Sequence, residues 1–325
     1  MARNSTMKAV TVDRYGSPDV LRIVDVPVPE PGEKEILVRV AASTVNRTDT
    51  ATIRAHPFFA RAMTGWLRPN FTTTGMEFAG VVEATGDGVT EFQTGEGVFG
   101  MEPDTFGGHA EYVCCSASGA VAPVPEGLSP DRALVGEGAW YASSTTDALK
   151  PGGAILIYGA SGAIGTAAVQ LAKVAGAEVT AVVGTRHMSL AEDLGADVVI
   201  NYETQDLTAI GRRFDLVFDA VGKTSYFECR KLLKPDGIYS ATDLGPWWSN
   251  IWLGLWFALT GSKRVRIPYP DDAAGFVRRL SGLMKEERYK GVFDRRFLME
   301  DVAAAFRYVE TGQKTGIVVL EITQQ

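Results

Sequence analysis

The first part of the chain, residues 7–127, shows the short alternating or apolar runs that are typical of β-strands. The runs 7–12 and 35–40 are bounded by Pro and Gly, which interrupt regular structure. Further strands are predicted at 75–83 and 108–113, where glycines allow the backbone to bend sharply. The pattern therefore predicts a compact all-β or barrel-like domain.

The rhythm changes between about residues 128 and 290 to strands that alternate with helices. The continuous apolar run 154–158 is typical of a parallel strand covered on both faces, and the Ala-rich run 163–175 follows as a helix. Repeated βα units predict a parallel sheet with right-handed crossovers. The remaining strands are predicted at 178–183, 198–200, 215–219 and 237–241, and the remaining helices at 188–194 and 226–233.

The last residues again show a strand-containing pattern like that of the first part of the chain. They predict a strand at 295–298, a helix at 300–310 and a strand at 316–322. A β-rich start and a β-containing end on either side of one α/β unit predict a discontinuous first domain. We therefore assign residues 1–127 and 288–325 to a first domain, and 128–287 to an inserted α/β domain.

The charge, the cysteine count and the apolar runs argue against several functional classes of protein. The 325 residues have a net charge of −7 with dispersed basic residues, which argues against nucleic-acid binding. Three cysteines, two of them adjacent, suit no disulfide framework and favour the cytoplasm. No apolar run reaches the ~20 residues of a membrane span, and we expect no signal peptide.

A glycine-rich turn joins the predicted strand 154–158 to the helix after it. Glycines in this context permit a tight turn and a close approach of the backbone to a dinucleotide pyrophosphate, which the helix N-terminus attracts. Ala160 stands where the strict pattern has its first glycine, and a tight turn without a ligand is the alternative. The predicted cofactor-binding residues are Gly159, Ala160, Ser161, Gly162, Ala163, Ile164 and Gly165.

The end of the next strand indicates which dinucleotide binds. NAD enzymes usually place Asp or Glu there to bind the ribose hydroxyls. The strand predicted at 178–183 leads instead into Gly184, Thr185 and Arg186. Because a guanidinium can bind a 2′-phosphate, the sequence favours NADPH, with Thr185 and Arg186 as contacts. The alternative is that Arg186 is a solvated surface charge.

Several motifs together resemble the medium-chain dehydrogenase/reductase family, and most closely its zinc-independent quinone oxidoreductase (zeta-crystallin-like) branch. The resemblance covers nearly the whole chain and implies a GroES-like catalytic domain, a Rossmann-type nucleotide domain and a homodimer. It rests on the motifs at 46–49, 75–82, 108–113, 159–165, 219–222 and 233–237.

Missing metal ligands place the chain in the zinc-independent branch. Zinc alcohol dehydrogenases carry a Cys ligand and a Gly-His-Glu motif, plus a four-cysteine lobe. Here Asn46 lies in the region of the first ligand, Met76 replaces the histidine beside Glu77, and no such cysteine cluster exists. Because amide and thioether groups are poor zinc ligands, we expect no metal site.

The resemblance implies hydride transfer from NADPH to a quinone or to the C=C bond of an α,β-unsaturated carbonyl. Asn46 is the first candidate to contact the nicotinamide ribose or the substrate carbonyl, and capping a helix is its alternative role. Tyr141 is a candidate to line the cleft, and packing is its alternative. Ala51 stands where the family often has a proton-donating tyrosine, which makes water a plausible donor. Further cofactor contacts implied by the resemblance are Tyr202, Val221, Gly222, Lys314 and Gly316.

Four of the six tryptophans fall within residues 246–257. This segment can line an apolar pocket, pack in a dimer or rest on a membrane surface. We favour the first two, and a pocket here would suggest a bulky, apolar small-molecule substrate. We expect no membrane contact. The alternatives to a conjugated-acceptor reductase are an alcohol/carbonyl dehydrogenase and a non-catalytic NADPH-binding or membrane-associated protein.

Overall fold

The computed structural model describes residues 6–58, 61–207, 210–262 and 264–323, apart from the side chains of residues 63, 246 and 258. Within these ranges the chain forms two compact units that change over between Glu137 and Gly138 and between Asp271 and Asp272. The boundary between Asp271 and Asp272 places the helix that follows Asp272 in the first unit. In agreement, Ser281 Oγ of this helix donates a hydrogen bond to Pro123 O of the first unit at 2.9 Å. That helix therefore belongs with the β-rich unit, whereas the sequence-based division placed it in the α/β domain.

The first unit begins with strands separated by short turns and two helices. Strands predicted from alternation are present, and the strand predicted at 35–40 extends to Val45. The elements of this part are β1 (Thr6–Thr11), β2 (Arg22–Pro27), β3 (Glu35–Val45), α1 (Arg47–Arg54), α2 (Arg61–Thr64), β4 (Glu77–Thr85), β5 (Gly97–Met101), β6 (Tyr112–Ser116) and β7 (Val121–Pro123).

The second unit is an alternation of strands and helices, and the helix that leads into it starts at Glu137. Its elements are α3 (Glu137–Thr146), β8 (Ala154–Tyr158), α4 (Ala163–Val174), β9 (Glu178–Val183), α5 (Met188–Asp193), β10 (Val198–Asn201), β11 (Phe214–Asp219), α6 (Tyr226–Cys229), β12 (Leu233–Ala241), α7 (Ser249–Leu259) and β13 (Val265–Arg266).

The chain then returns to the first unit, as the sequence pattern predicted, with two helices and two strands. These elements are α8 (Ala273–Lys285), β14 (Phe293–Leu298), α9 (Val302–Glu310) and β15 (Ile317–Glu321).

The long strand β3 organises the first unit. Its first half pairs with β6 and its second half with β15, while β4 pairs along its other edge. The apolar faces of these strands bury Val38, Phe78 and Leu320 against Phe306 of α9. Burial of such side chains contributes about 1.5–3 kcal/mol each, so the C-terminal strand and helix are integral to this unit.

The second unit is a parallel sheet with the strand order β10-β9-β8-β11-β12-β13. Counted along the chain from β8 this order is 3-2-1-4-5-6, which is that of dinucleotide-binding folds, with the ligand crevice at the carboxyl ends of the strands. The predicted fold class, a GroES-like unit with an inserted Rossmann-type unit, is confirmed.

Several predicted boundaries were wrong, and the strand predicted at 237–241 begins at Leu233. The strand predicted at 108–113 begins only at Tyr112, because the ring of His109 turns inward to hydrogen-bond with the chain. The helix predicted at 226–233 ends at Cys229 and passes through a short 3₁₀ turn, since Leu233 already pairs with Phe214 in the parallel ladder.

Candidate functional site

The turn between β8 and α4 packs so tightly that two of its glycines are required by contact. Gly159 has a φ of 78°, and a Cβ atom on it would lie 2.4 Å from Val221 Cγ1. A Cβ atom on Gly165 would lie 2.1 Å from the carbonyl oxygen of Gly159. The turn is thus held close both to the helix it starts and to the loop after β11.

Space is open beside Gly162, the residue that precedes the first turn of α4. Gly162 is the N-cap, and a Cβ atom there would meet only Gly159 O, at 3.7 Å. The backbone N–H groups of Ala163 and Ile164 lie in the first turn of a helix, where N–H groups and the helix dipole attract anions. This arrangement fits the pyrophosphate of a dinucleotide.

The carboxyl ends of β9 and β10 form the neighbouring part of the sheet edge. Tyr202 follows β10, is half-exposed, and stacks its ring on that of Tyr158 with a centroid distance of 6.3 Å. Thr185 and Arg186 follow β9 and are exposed. The structure therefore brings the predicted adenosine contacts Thr185, Arg186 and Tyr202 to one edge, beside the fingerprint turn.

An acidic residue that sequence reasoning missed stands at this edge. The hydroxyl of Thr185 donates to Glu203 Oε2 at 2.5 Å, and the Thr185 backbone N–H approaches the same oxygen at 3.4 Å. The sequence signal is an acid two residues beyond the end of β10, whereas the acid of NAD enzymes is expected at the end of β9.

Asp219, at the end of β11, fixes the loop that contains Val221. Its buried carboxylate accepts hydrogen bonds from the backbone N–H groups of Val221, Gly222, Lys223 and Thr224 at 2.7–3.1 Å. Four donors on one carboxylate hold the loop in one conformation. Asp219 is thus a positioning residue for Val221, which contacts the fingerprint turn.

In the first unit, Asn46 is the N-cap of α1 and lies buried. Its backbone N–H donates to Asp49 Oδ2 at 2.7 Å, and its side-chain amide donates to Thr44 Oγ1 at 2.8 Å. The capping alternative given for Asn46 is confirmed by its position at the start of α1, and the Asp49 side chain completes the cap. The role of Asn46 in binding a cofactor or substrate stays a prediction.

Glu77 lies at the centre of a buried hydrogen-bond network in the same unit. Its carboxylate accepts from Thr44 Oγ1 at 2.8 Å, from Val135 N–H at 2.8 Å and from Gly136 N–H at 3.0 Å. Burial raises the pKa of Glu77, and these three hydrogen bonds act in the opposite direction. Through Thr44, the network links Glu77 to Asn46.

His109 is fully buried beside this network. Its Nε2 lies 2.9 Å from the carbonyl oxygen of Thr44, which can only accept, so Nε2 carries the proton. Its Nδ1 lies 2.9 Å from the hydroxyl of Thr74, which then acts as donor. Burial lowers the pKa of His109 to about 4, so the ring is neutral at pH 7.

A second buried cluster surrounds the start of α1. Thr48 Oγ1 donates to the buried Glu137 Oε1 at 2.6 Å, and Lys314 Nζ donates to Gly316 O at 2.8 Å. Burial lowers the pKa of Lys314 to about 8, while the Glu137 carboxylate acts to raise it. Burial also raises the pKa of Asp49, and the Glu137 charge adds to this effect. Sequence reasoning named Lys314 and missed both Thr48 and Glu137.

Two residues with predicted catalytic relevance lie on helices. Tyr141 is half-buried on α3, and Ala51 is half-buried on α1, where the family often has a tyrosine. The role of Tyr141 stays a prediction. Within the part of the chain that the structure describes, no group of three His, Cys, Asp or Glu side chains is placed to hold a metal ion.

Comparison with known proteins agrees with this architecture over nearly the whole chain. Residues 32–126 match the alcohol dehydrogenase GroES-like domain, and residues 194–320 match the zinc-binding dehydrogenase domain. The quinone-oxidoreductase QR1 of Triphysaria versicolor is 30% identical, over 97% of this chain and 98% of that protein. The chain belongs to the medium-chain dehydrogenase/reductase family.

Within this family of oxidoreductases, the chain groups with the quinone oxidoreductase branch. The structure of the quinone oxidoreductase from Coxiella burnetii has a TM-score of 0.83 at 28% identity and covers 98% of this chain and 100% of its own. The 2-methylene-furan-3-one reductase of Solanum lycopersicum is 30% identical over 97% of this chain and 79% of that protein. The quinone oxidoreductase branch predicted from the motifs is therefore confirmed, while its zinc independence stays a prediction, and a nicotinamide cofactor is implied by the family.

Proposed function

We propose that this medium-chain reductase uses NADPH to reduce a quinone or the C=C bond of an α,β-unsaturated carbonyl compound, without zinc. The observation that supports this most directly is the helix N-terminus behind the Gly159 turn, with open space beside Gly162, at the carboxyl edge of a parallel 3-2-1-4-5-6 sheet. Relatives named quinone-oxidoreductase and NADPH-dependent alkenal/one oxidoreductase, the latter from Arabidopsis thaliana and 30% identical, support the same reaction class.

The proposed cofactor contacts of the second unit follow the sheet edge. The turn from Gly159 to Gly165 would hold the pyrophosphate, Thr185, Arg186 and Tyr202 the phosphorylated adenosine ribose, and Val221 with Gly222 the nicotinamide end. Bound NADPH supplies a hydride to the electrophilic carbon. The chain positions the dinucleotide, and the guanidinium of Arg186 is the charge that would favour a 2′-phosphate.

For the first unit, we propose that Asn46 contacts the nicotinamide ribose or the carbonyl oxygen of the acceptor. One N–H of its amide is bonded to Thr44, which fixes the side chain, and an amide donates without titrating. Lys314 and Gly316 are the further cofactor contacts proposed in this unit. On the second unit, Tyr141 of α3 is proposed to line the acceptor site.

Zinc independence is part of the proposal and rests on side-chain chemistry. Asn46 and Met76 stand in the regions where zinc enzymes of the family have Cys and His, and neither side chain is a good zinc ligand. The Glu77 carboxylate is already engaged by three hydrogen bonds from within its own unit. With Ala51 in the position of the family tyrosine, we propose that water supplies the proton that completes the reduction.

We also propose a cytoplasmic homodimer. Helix α7 contains no charged residue and exposes Trp252 and Trp256, each 63% exposed, beside the edge strand β13. Among the described residues, no strand pairs with the outer edge of β13. A second copy would cover both features. None of the helices in the described ranges is long and apolar enough to span a bilayer.

The reaction is tested by following NADPH and NADH oxidation with a panel of quinones and bulky enones, with products identified by mass spectrometry. We expect NADPH-selective turnover and, with enones, addition of two hydrogens across the C=C bond. Activity that requires added zinc, or oxidation of alcohols without any enone or quinone reduction, would contradict the proposal. Binding of NADPH without turnover on any acceptor would favour a non-catalytic role.

A further inference from the structure

Enzymes with this sheet order distinguish NADH from NADPH at the end of the second strand along the chain, counting the strand before the glycine turn as the first. An acid at this position accepts a hydrogen bond from the ribose 2′-hydroxyl of NADH and repels the 2′-phosphate of NADPH. Here the second strand is β9, which ends at Val183 and continues into Gly184 and Thr185 without an acid. A carboxylate nevertheless stands at this strand end, and it comes from another strand.

That carboxylate belongs to Glu203, two residues beyond the end of the neighbouring strand β10. Its Oε2 accepts from the hydroxyl of Thr185 at 2.5 Å and lies 3.4 Å from the backbone nitrogen of the same residue. Its Oε1 would lie 2.8 Å from a Cβ atom built on Gly184. Both carboxylate oxygens are thus at the end of β9, and Oε2 engages donors of Thr185 that a 2′-phosphate could also use.

The position of Glu203 is fixed by a third residue. Asn201 Oδ1 accepts from the backbone N–H of Glu203 at 3.0 Å, and Asn201 Nδ2 donates to Thr185 Oγ1 at 2.8 Å. The hydrogen bonds from Thr185 are the main cause that lowers the pKa of Glu203, and the nearby charges of Arg186 and His187 add to it. The side chain is exposed and ionised at neutral pH.

We propose that Glu203 is a specificity-determining residue that opposes NADPH and favours NADH, so that it counteracts Arg186 and narrows the preference of the enzyme for NADPH. The carboxylate and a 2′-phosphate are both negative and compete for the donors of Thr185. The ribose 2′-hydroxyl of NADH, in contrast, can donate to the carboxylate. This inference rests on the proposed function, because it presumes a nicotinamide dinucleotide at the Gly159 turn.

The test compares the dissociation constants of NADPH and NADH for the wild type and Glu203→Gln, measured by nicotinamide fluorescence and by calorimetry without an acceptor. Glutamine keeps the shape of the side chain and can still accept from Thr185. We expect Glu203→Gln to bind NADPH roughly three- to tenfold more tightly and NADH no more tightly than the wild type. Because the removed interaction is electrostatic and exposed, the gain should shrink when salt is raised from about 0.05 to 0.5 M.

The matched control is Glu192→Gln, which removes the same charge from α5, outside the hydrogen bonds that join Asn201, Thr185 and Glu203. We expect it to leave both dissociation constants within about twofold of the wild type. An unchanged NADPH constant in Glu203→Gln, or an equal gain in Glu192→Gln, would overturn the inference. If neither nucleotide binds the wild type, the proposed function fails as well. If Arg186→Ala weakens NADPH while Glu203→Gln changes nothing, only the inference fails.

Discussion

Gly165 approaches the carbonyl oxygen of Gly159 so closely that a Cβ atom on Gly165 would lie 2.1 Å from that oxygen. We therefore expect Gly165→Ala to lower the free energy of unfolding by about 1–3 kcal/mol, because the turn and the helix must separate. Urea unfolding measures this change. Gly162→Ala is the control, since its Cβ atom would meet only Gly159 O at 3.7 Å.

The same pair of variants tests the dinucleotide site. Gly162→Ala should cost less than about 1 kcal/mol of stability, yet it should weaken NADPH binding because the methyl group would occupy the open space beside the helix N-cap. Unaltered NADPH affinity in a fully folded Gly162→Ala protein would argue against a pyrophosphate at this turn.

Arg186 is expected to provide most of the preference for the 2′-phosphate. Arg186→Ala should raise the dissociation constant of NADPH by about tenfold or more and change that of NADH by less than about twofold. Arg186→Lys keeps the charge but loses the planar fork. Its dissociation constant for NADPH should lie between those of the wild type and Arg186→Ala. An equal effect on both nucleotides would show that Arg186 is a solvated surface charge.

Asp219 is expected to be essential for the order of the loop after β11. Asp219→Ala removes the acceptor of four backbone N–H groups, and we expect a loss of about 3 kcal/mol or more in the free energy of unfolding. Asp219→Asn keeps one acceptor oxygen and should lose less. Denaturant unfolding of the two variants, with NADPH affinity measured alongside, tests whether Asp219→Ala loses more stability than Asp219→Asn. Equal losses of stability would contradict the prediction.

His109 should make the protein less stable in mild acid. The pKa of its ring is about 4 in the folded protein against 6.5 for an ordinary histidine, so between these values the unfolded state binds more protons. Stability from this residue is therefore present above pH 6.5 and is lost as the pH falls towards 4. Between pH 7 and 5 the loss is about 2 kcal/mol.

The measurement compares the wild type with His109→Gln by chemical denaturation at both pH values. The raised pKa values of Glu77 and Asp49 act in the opposite sense, but these carboxyls are present in both proteins and cancel in the difference. We expect a smaller pH slope in the variant. In the wild type, an NMR signal of the buried ring that titrates near pH 6.5 would refute the prediction.

The exposed tryptophans of α7 should be needed for self-association. Trp252→Ser combined with Trp256→Ser is expected to convert a dimer to a monomer in light scattering coupled to size-exclusion chromatography, because apolar contact area is lost. Trp66→Ser is the control, since Trp66 of the first unit is also 63% exposed. A wild-type monomer, or a double variant that stays dimeric, would contradict this role for α7.

Much of this protein is determined locally and was therefore predictable from the sequence. Alternating strands, the apolar run of β8, the glycine turn and the Ala-rich helix α4 depend on neighbours within a few residues, and each is present in the structure. The cap at Asn46 depends on Asp49 only three residues later, and capping was an expected alternative for Asn46.

Only the tertiary structure decided which distant residues meet. Glu203 reaches Thr185 because parallel pairing places the end of β10 beside the end of β9, and no pattern within either strand indicates that contact. Burial, which determines the pKa of His109, likewise depends on the packing of β3, β4 and their neighbours around it. The sequence alone determined the fold and the fingerprint, because their signals are periodic and local. The charge beside the proposed adenosine site depended on strand pairing, which is a long-range property of the folded chain.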